Sequence, residues 1–121
     1  MKTVLIVDDD EQLRKILAKM LKQAGLKAIE ARNGTECISL YKTKSPDLVV
    51  MDIIMPEKDG LSTIKAIKEI DNQAKVLAMS GGLVMTPEVY LDEAKNIGAD
   101  SLISKPIDRR FLMETIENLL G

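Results

Sequence analysis

Three consecutive carboxylates and one isolated carboxylate are the residues of this sequence best suited to chemistry. Asp8, Asp9 and Asp10 follow the apolar run VLIV, and Asp52 follows LVVM with no cation beside it. The chain has one cysteine and no histidine. This excludes a Cys or His zinc site and any Cys–His or Ser–His catalytic pair. Any metal chemistry must therefore use oxygen ligands.

Carboxylates held close together repel one another and raise one another's pKa values unless a cation lies among them. With only oxygen ligands and no EF-hand spacing, the favoured cation is a partly hydrated Mg²⁺ completed by a phosphate. Ser80 and Lys105 end two further strand-like runs. The Lys105 ammonium could neutralise one phosphoryl oxygen and the Ser80 hydroxyl could donate a hydrogen bond to another. Asp52, central in this arrangement, is then the candidate nucleophile.

Each of these residues also has a purely structural interpretation. An acidic run before a helix is commonly an N-cap that suits the helix dipole. A serine at a strand end is commonly a turn residue, and a lysine before proline is commonly solvated. Asp52 is harder to explain in this way, because Asp is depleted in strands and this one follows four apolar residues. The functional interpretation requires that all these residues meet in one place.

Short apolar, β-branched runs alternate with longer segments of helical period, which indicates βα units around a parallel sheet. Five units fit, with strands predicted at residues 3–7, 27–30, 48–51, 76–79 and 101–104. Ligands of an open α/β sheet bind just beyond the carboxyl ends of its strands. Four of the five strands would bring the aspartates, Ser80 and Lys105 to that edge.

Several segments have the apolar spacing of amphipathic helices. The clearest stripe, which Gly25 ends, consists of Leu13, Ile16, Leu17, Met20, Leu21 and Ala24. A second stripe covers residues 111–120, and weaker stripes cover 37–41 and 61–70. Thr86 and Pro87 have the residue types of an N-cap and a first helical position, so they predict another helix that ends near Gly98.

Size and charge bound the remaining possibilities. At 121 residues with 45% apolar side chains, the chain is predicted to form one domain, residues 1–121. A net charge of −2 and three aromatic residues argue against direct nucleic-acid binding. The N-terminus becomes acidic too early for a signal peptide, and no apolar run approaches the roughly 18 residues of a membrane span. We therefore expect a cytoplasmic protein without membrane association.

Four ordered motifs give the chain a resemblance to a known family. LIVDDDEQLR holds the acidic run, VVMDIIMPEKDG contains Asp52, MSGG contains Ser80 and GADSLISKPI contains Lys105. Over essentially all 121 residues the chain resembles the receiver domain of two-component response regulators, the group that includes the chemotaxis response regulator. The resemblance implies a flavodoxin-like (βα)5 fold, in which a doubly wound parallel sheet has the strand order 2-1-3-4-5.

The resemblance also implies a phospho-acceptor function. Asp52 would accept a phosphoryl group from a phosphohistidine on a sensor histidine kinase or a phosphotransfer protein. Asp9 and Asp52 would ligate Mg²⁺ directly, Asp8 would act largely through water, and the backbone carbonyl of Ile54 would complete the protein ligands. The protein would be no enzyme beyond catalysing its own phosphorylation and dephosphorylation.

A route for the signal is implied in the same way. Lys105 would pair with the phosphate and Ser80 would be the switch hydroxyl. Phosphorylation would then change the surface formed by the loop after the fourth strand, the helix that follows it and the fifth strand. An unidentified downstream protein or output domain would bind there. Leu102 departs from the family pattern, which usually has Tyr or Phe three residues before the lysine as a rotameric switch.

Three other interpretations on related folds stay open at this point. Asp8 and Asp10 form the D-x-D of a haloacid-dehalogenase-type phosphatase, but Gln12 stands where that motif has Thr or Val. A flavodoxin would need a hydroxyl- and Gly-rich phosphate loop where this chain has three aspartates. A pseudo-receiver, a pure interaction module on the same fold, typically lacks one of the acids or the lysine, and this chain has them all.

Overall fold

The strands form one parallel sheet in a computed structural model that describes residues 1–52, 59–81, 96 and 98–121. They are β1 (Thr3–Val7), β2 (Lys27–Ala31), β3 (Leu48–Asp52), β4 (Val76–Gly81) and β5 (Ser101–Lys105). Neighbouring strands pair in the order β2-β1-β3-β4-β5, and every pair is parallel. The predicted fold class is therefore confirmed, together with the strand order that the resemblance implies.

Every strand begins where the sequence predicts, but β2 to β5 extend one or two residues further. The additional register pairs are Val7 with Ala31, Asp52 with Met79, Ser80 with Ser104, and Gly81 with Lys105. The prediction ended β3 and β4 at their last apolar residues and β2 and β5 one residue early, whereas pairing continues while a neighbouring strand supplies partners. Asp52, Ser80 and Lys105 consequently belong to strands and not to the loops after them.

Four helices lie within the described residues: α1 (Glu11–Gln23), α2 (Gly34–Lys44), α3 (Asp59–Ile70) and α4 (Arg109–Leu120). The side chains of Asp10, Asn33 and Asp108 cap α1, α2 and α4 by accepting first-turn backbone N–H groups. Beyond the end of α1, Gly25 adopts a φ of +82°, as its predicted role requires. The helix predicted to open at Thr86 falls largely on residues outside those described.

Helices cover both faces of the sheet. One face packs against α1 and α4, and the buried strand residues there include Ile6 and Val50. The other face packs against α2 and α3, with Leu5 and Val49 among its buried residues. Successive side chains of a strand point to opposite faces, so a doubly covered strand is apolar at nearly every position. Polar side chains of these strands are therefore concentrated at the edges of the sheet.

The buried faces of α1 and α4 are narrower than the apolar stripes in their sequences predict. Leu17, Met20 and Leu21 of α1 are buried, but Ile16 is 58% exposed, and Phe111 of α4 is 54% exposed. An apolar stripe marks the broad face of a helix, and only its centre contacts a sheet. Ile16 lies on the flank of α1, in an apolar groove of about 590 Å³ shared with Ile107.

Candidate functional site

The acidic run lies in the connection from β1 to α1, and we call Asp8, Asp9 and Asp10 the acidic turn. Asp8 is fully buried, and its backbone N–H donates to the carbonyl oxygen of Ala31 on β2 at 3.2 Å. The backbone N–H of Asp10 donates to Oδ1 of Asp8 at 2.9 Å. The turn is thus tied to the sheet and folded against its own first carboxylate.

The capping interpretation of the acidic run is confirmed for Asp10. Its Oδ1 accepts a hydrogen bond from the backbone N–H of Leu13 at 3.2 Å. Its carbonyl oxygen accepts from the backbone N–H of Arg14 at 3.0 Å, which closes the first turn of α1. A carboxylate here also suits the positive end of the helix dipole. Capping does not account for Asp8 and Asp9, which precede the cap.

Aspartates at the opposite edge of the sheet have structural roles. Oδ2 of Asp47 accepts from the backbone N–H of Thr3 at 2.7 Å. Oδ2 of Asp100 accepts from the backbone N–H of Val76 at 2.7 Å and lies 3.1 Å from Nζ of Lys68. These carboxylates tie down the amino ends of strands or the turns before them.

Asp52 ends the central strand of the sheet. It is 3% exposed, and all five residues of β3 are buried. β3 lies between β1 and β4, with Asp52 in register with Met79. Because the carboxyl ends of parallel strands meet at one edge, Asp52 lies beside the acidic turn that follows β1. Its placement confirms that the aspartates after the first and third strands come together.

Carboxylate oxygens of Asp8, Asp9 and Asp52, one from each residue, all lie within 4.8 Å of one another. Two oxygens that share an ion at about 2.0 to 2.1 Å can be at most about 4.2 Å apart. A small side-chain rotation, or one intervening water, is enough for the three to share a cation. Asp9 is exposed, which leaves the cluster accessible to ions from solvent. The donor set, all of it anionic oxygen, fits Mg²⁺.

Ser80 and Lys105 belong to the two strands on the other side of Asp52. Ser80 is 4% exposed in β4 and is in register with Ser104. Lys105 is the last residue of β5, in register with Gly81. Four strands therefore bring their predicted polar residues to one edge. The side chain of Lys105 and all of Ile54 lie outside what the structure describes.

Arg14, on α1, is a contact of the site that sequence reasoning missed. Its Nη1 donates to the carbonyl oxygen of Asp8 at 2.7 Å, and its Nε lies 3.3 Å from Oε1 of Glu30 on β2. The side chain is only 12% exposed. Its position was the available signal, because Arg14 lies beside Leu13 of the apolar stripe and one turn after the cap.

Leu102, three residues before Lys105, stands where the resembled family usually has Tyr or Phe, and it is buried. It pairs with Ala78 across β4 and β5 and belongs to the apolar cluster under α2 and α3. An isobutyl group packs there but has no atom that can make a hydrogen bond. Any conformational relay through this position must therefore act by packing.

The fold and the site together define a class of protein. A doubly wound parallel sheet presents a carboxylate cluster, a hydroxyl and a lysine at the carboxyl ends of four strands, which suits a phosphate-handling domain with an aspartate nucleophile. The family model of the response regulator receiver domain matches residues 4–117. The chain belongs to this family.

Individual relatives agree with the family match. The chain is 38% identical over 119 residues to the chemotaxis protein CheY of Halobacterium salinarum, an alignment that covers 98% of this chain and 97% of that protein. Identity and coverage are the same for the CheY of Bacillus subtilis. Among solved structures, Vibrio cholerae CheY4 has a TM-score of 0.85 at 26% identity and covers 98% of both chains. The response regulator TrrA of Thermotoga maritima, in complex with Mg²⁺-BeF, has a TM-score of 0.82 at 28% identity and covers 98% of this chain and 99% of its own.

Family membership establishes the general role of the chain. It is a receiver domain of response regulators, a module of phospho-acceptor signalling in two-component systems and not a classical metabolic enzyme. Receiver domains interact with histidine kinases or phosphotransfer proteins. Membership sets aside the flavodoxin and haloacid-dehalogenase interpretations. Within the described ranges, every helix is too short or too polar to cross a bilayer.

Proposed function

We propose that Asp52 accepts a phosphoryl group from a phosphohistidine of a sensor histidine kinase or phosphotransfer protein, in a reaction that needs Mg²⁺. One carboxylate oxygen of Asp52 forms a bond to phosphorus while the phosphorus–nitrogen bond of the donor breaks. The imidazole leaves with the electron pair and is then protonated by solvent. The product is an aspartyl phosphate, whose phosphorus–oxygen bond is later cleaved by water to regenerate Asp52 and release phosphate.

The single observation that carries this proposal is the meeting of three carboxylates at the end of β3. Oxygens of Asp8, Asp9 and Asp52 lie within 4.8 Å of one another, and Asp52 is the one that ends the central strand. A carboxylate there needs no proton removed before it attacks, unlike a hydroxyl. Asp52 is therefore able to act in a site that has no histidine base.

The same carboxylates would hold the metal. Asp9 and Asp52 would be direct ligands, Asp8 would act largely through water, and the backbone carbonyl of Ile54 would complete the protein ligands. A bound Mg²⁺ would neutralise the carboxylates and the phosphoryl oxygens, so that two anions can approach. Support for Mg²⁺ comes from the oxygen-only donors and from the Mg²⁺-BeF complex of the similar protein TrrA.

Ser80 and Lys105 would receive the phosphoryl oxygens. Lys105 lies one strand further from Asp52 than Ser80, in the order β3-β4-β5. A lysine has a long side chain and a serine a short one, so each residue type suits its distance from the nucleophile. The ammonium would pair with one oxygen and the hydroxyl would donate to another.

A net charge of −2 supports protein partners over nucleic acid for the single receiver domain of residues 1–121.

Intact-mass spectrometry after incubation with acetyl phosphate and Mg²⁺ tests this proposal. We expect the wild type to gain one phosphoryl group and Asp52→Asn to gain none, and EDTA should abolish the gain. Asp10→Asn is the matched control, because it removes one charge from the acidic turn while Asn caps a helix as well as Asp does. That variant should be labelled like the wild type.

Two outcomes would contradict the assignment. Equal labelling of the wild type and Asp52→Asn would show that another residue is the acceptor. A wild type that takes up no phosphoryl group from acetyl phosphate or from a phosphorylated kinase would indicate a pseudo-receiver that acts only by binding.

A further inference from the structure

Arg14 holds the peptide group that joins two of the three clustered aspartates. Its Nη1 donates to the carbonyl oxygen of Asp8 at 2.7 Å, and this carbonyl belongs to the peptide between Asp8 and Asp9. A peptide group is planar. The direction of the Asp8 carbonyl therefore sets the direction in which the chain leaves toward Asp9. From this geometry we infer that Arg14 is a positioning residue that sets the affinity of the aspartate cluster for divalent cations.

Several hydrogen bonds fix the acidic turn, and the one from Arg14 reaches the carbonyl oxygen of Asp8. The backbone N–H of Asp8 donates to Ala31 of β2, and Oδ1 of Asp8 accepts from the backbone N–H of Asp10. These two bonds hold the Asp8 residue itself. The bond from Arg14 holds the following peptide, and with it the entry to Asp9, the exposed member of the cluster.

The ion pair with Glu30 makes this role possible. Arg14 lies 3.3 Å from Oε1 of Glu30, and Nζ of Lys15 lies 3.0 Å from Oε2 of the same carboxylate. Glu30 supplies a counter-charge for Arg14 from β2, so the guanidinium can bind the turn without needing the metal-binding carboxylates for that purpose. The planar guanidinium offers several donors in fixed directions, so it can bond Asp8 and Glu30 at once.

Arg14 and Lys15 form a matched pair for a test. They are adjacent on α1 and both pair with Glu30, but the contact to the Asp8 carbonyl is made by Arg14. A role limited to the ion pair between α1 and β2 predicts similar effects for the two residues. A positioning role, which rests on the metal site of the proposed function, predicts weaker metal binding only when Arg14 is replaced.

Metal affinity is the readout, measured on the full chain by calorimetric titration with Mg²⁺ and by electron paramagnetic resonance with Mn²⁺. We expect Arg14→Met to raise the dissociation constant for Mg²⁺ about tenfold, an effect typical of replacing a residue that orients metal ligands. Lys15→Met should stay within about twofold of the wild type, since exposed ion pairs contribute little. Arg14→Lys keeps the positive charge beside Glu30 but loses the forked donor geometry of the guanidinium. This variant should fold normally, yet its affinity for Mg²⁺ should be several-fold lower than that of the wild type.

The outcomes separate this inference from the proposed function. Wild-type Mg²⁺ affinity in Arg14→Met or Arg14→Lys would overturn the positioning role, as would an equal loss in Lys15→Met. The proposed function would survive that result if Asp52 is still phosphorylated. A wild type that binds neither Mg²⁺ nor Mn²⁺ would overturn both. Should Arg14→Met be too unstable to titrate, Arg14→Lys decides the question.

Discussion

Asp9 differs from the other two carboxylates of the cluster because it is exposed, whereas Asp8 and Asp52 are buried. Buried carboxylates lose more hydration than exposed ones, and a nearby like charge adds repulsion. In the absence of a cation, the Asp9 carboxylate therefore contributes repulsion at close range to Asp8 and Asp52. Removal of the Asp9 charge should therefore increase the stability of the metal-free protein.

Asp9→Asn should therefore unfold at a temperature a few degrees above that of the wild type in EDTA. The same change should remove most of the stabilisation by Mg²⁺. At a concentration of about 100 times the dissociation constant, a ligand stabilises the native state by about 2.7 kcal/mol, and a site about a hundredfold weaker would gain only about 0.4 kcal/mol at that concentration. Thermal unfolding with and without Mg²⁺ measures both effects.

Asp10→Asn provides the comparison, because its side chain caps α1 and its carboxylate is not one of the three clustered groups. It should alter neither the metal-free unfolding temperature nor the gain from Mg²⁺ appreciably. A variant Asp9→Asn that unfolds at a lower temperature in EDTA, yet gains as much from Mg²⁺ as the wild type, would contradict both the repulsion and the ligand role.

The buried thiol of Cys37 offers no alternative nucleophile. It lies in α2 within the apolar cluster under α2 and α3. Burial raises the pKa of this thiol to about 12. The reactive form of a cysteine is the thiolate, so Cys37 is protonated and unreactive at neutral pH. This leaves carboxylate chemistry at the edge of the sheet.

Residue types in the sequence predicted the carboxylates of the site, but they did not predict Arg14, which contacts the acidic turn. Asp52 was recognisable because an acid is out of place after four apolar residues, and Asp8 and Asp9 because they follow another strand at the same edge of the sheet. Arg14 was not recognised, because a charged residue within a helix is most often solvated and a contact to a backbone carbonyl leaves no trace in residue types. Which carbonyl it reaches depends on how α1 is packed, and sequence spacing alone does not give that.

At the scale of elements, the predicted strand ends were wrong where hydrogen-bonded pairing continues beyond the last apolar residue of a strand. The last residues of β4, Ser80 and Gly81, are polar or small, yet they pair with β5. The starts of β2 to β5 were predictable because a turn or helix end with distinct residue types precedes each of them. Helix faces show the converse error, since Ile16 and Phe111 continue an apolar period but lie outside the contact with the sheet.

Tyr41 joins α2 to the end of α3. Its ring is buried in the cluster between these helices and the sheet, and its hydroxyl donates to Oδ2 of Asp71 at 3.0 Å. Burial, followed by this hydrogen bond, raises the pKa of Tyr41 to about 12 from an ordinary value of 10.0. The folded state thus favours the neutral phenol more strongly than the unfolded state does.

The sign of the resulting pH dependence follows from this shift. The stabilising contribution of Tyr41 is fully present below pH 10 and is lost as the pH rises from 10 toward 12. Tyr41→Phe loses the hydrogen bond and should be less stable by about 0.5 to 1.5 kcal/mol near pH 8. The deficit should shrink above pH 10, because the variant has no phenol at this position to ionise. Urea unfolding of both proteins from pH 8 to 11.5 measures the difference.

Every other titrating group is common to the two proteins, so their difference isolates Tyr41. Asp71 is exposed, and its carboxylate returns to water in the variant, which keeps the deficit within the range of one hydrogen bond. A difference in unfolding free energy that stays constant up to pH 11.5 would show that Tyr41 ionises as readily in the folded protein as in the unfolded one.

For the molecule as a whole, topology converts distant positions in sequence into one site. Residues 8, 52, 80 and 105 lie at the same edge of the sheet because β1, β3, β4 and β5 follow one another in a parallel sheet. Apolar patterning predicts five parallel strands, but it does not order them, since several orders would bury the same residues. The order 2-1-3-4-5 came from the resemblance to receiver domains, and the pairing of the strands confirms it.

Phosphorylation changes the charge balance of this edge. A phosphoryl group adds about −1.5 to −2 charges and new acceptor oxygens. Two hydrogen bonds to such a charged group, donated by Ser80 and Lys105 as proposed, would contribute about 1.5 to 3 kcal/mol each. Their sum of about 3 to 6 kcal/mol compares with the roughly 5.5 kcal/mol that converts a 1:99 population into 99:1. The shift toward the active conformation is expected to be large and to depend on both contacts.

The last prediction concerns the contribution of Ser80 to that shift. With Lys105 alone, about 1.5 to 3 kcal/mol would raise an active population of about 1% to only about 10 to 60%. Ser80→Ala should therefore respond to beryllofluoride, a mimic of the phosphoryl group, with a clearly smaller change than the wild type. Amide hydrogen exchange measures the change, which we expect in β5 and in residues 80–86 and the segment after them. Most of that segment lies outside the described residues.

Ser104→Ala is the matched control, since Ser104 pairs with Ser80 across β4 and β5 but precedes Lys105 and has no assigned contact with the phosphate. It should respond to beryllofluoride as the wild type does. Because the Leu102 side chain can form packing contacts but no hydrogen bond, we expect a weaker response in β5 than in residues 80–86. A full-sized response in Ser80→Ala, or one that spares residues 80–86, would show that the signal leaves the site by another route.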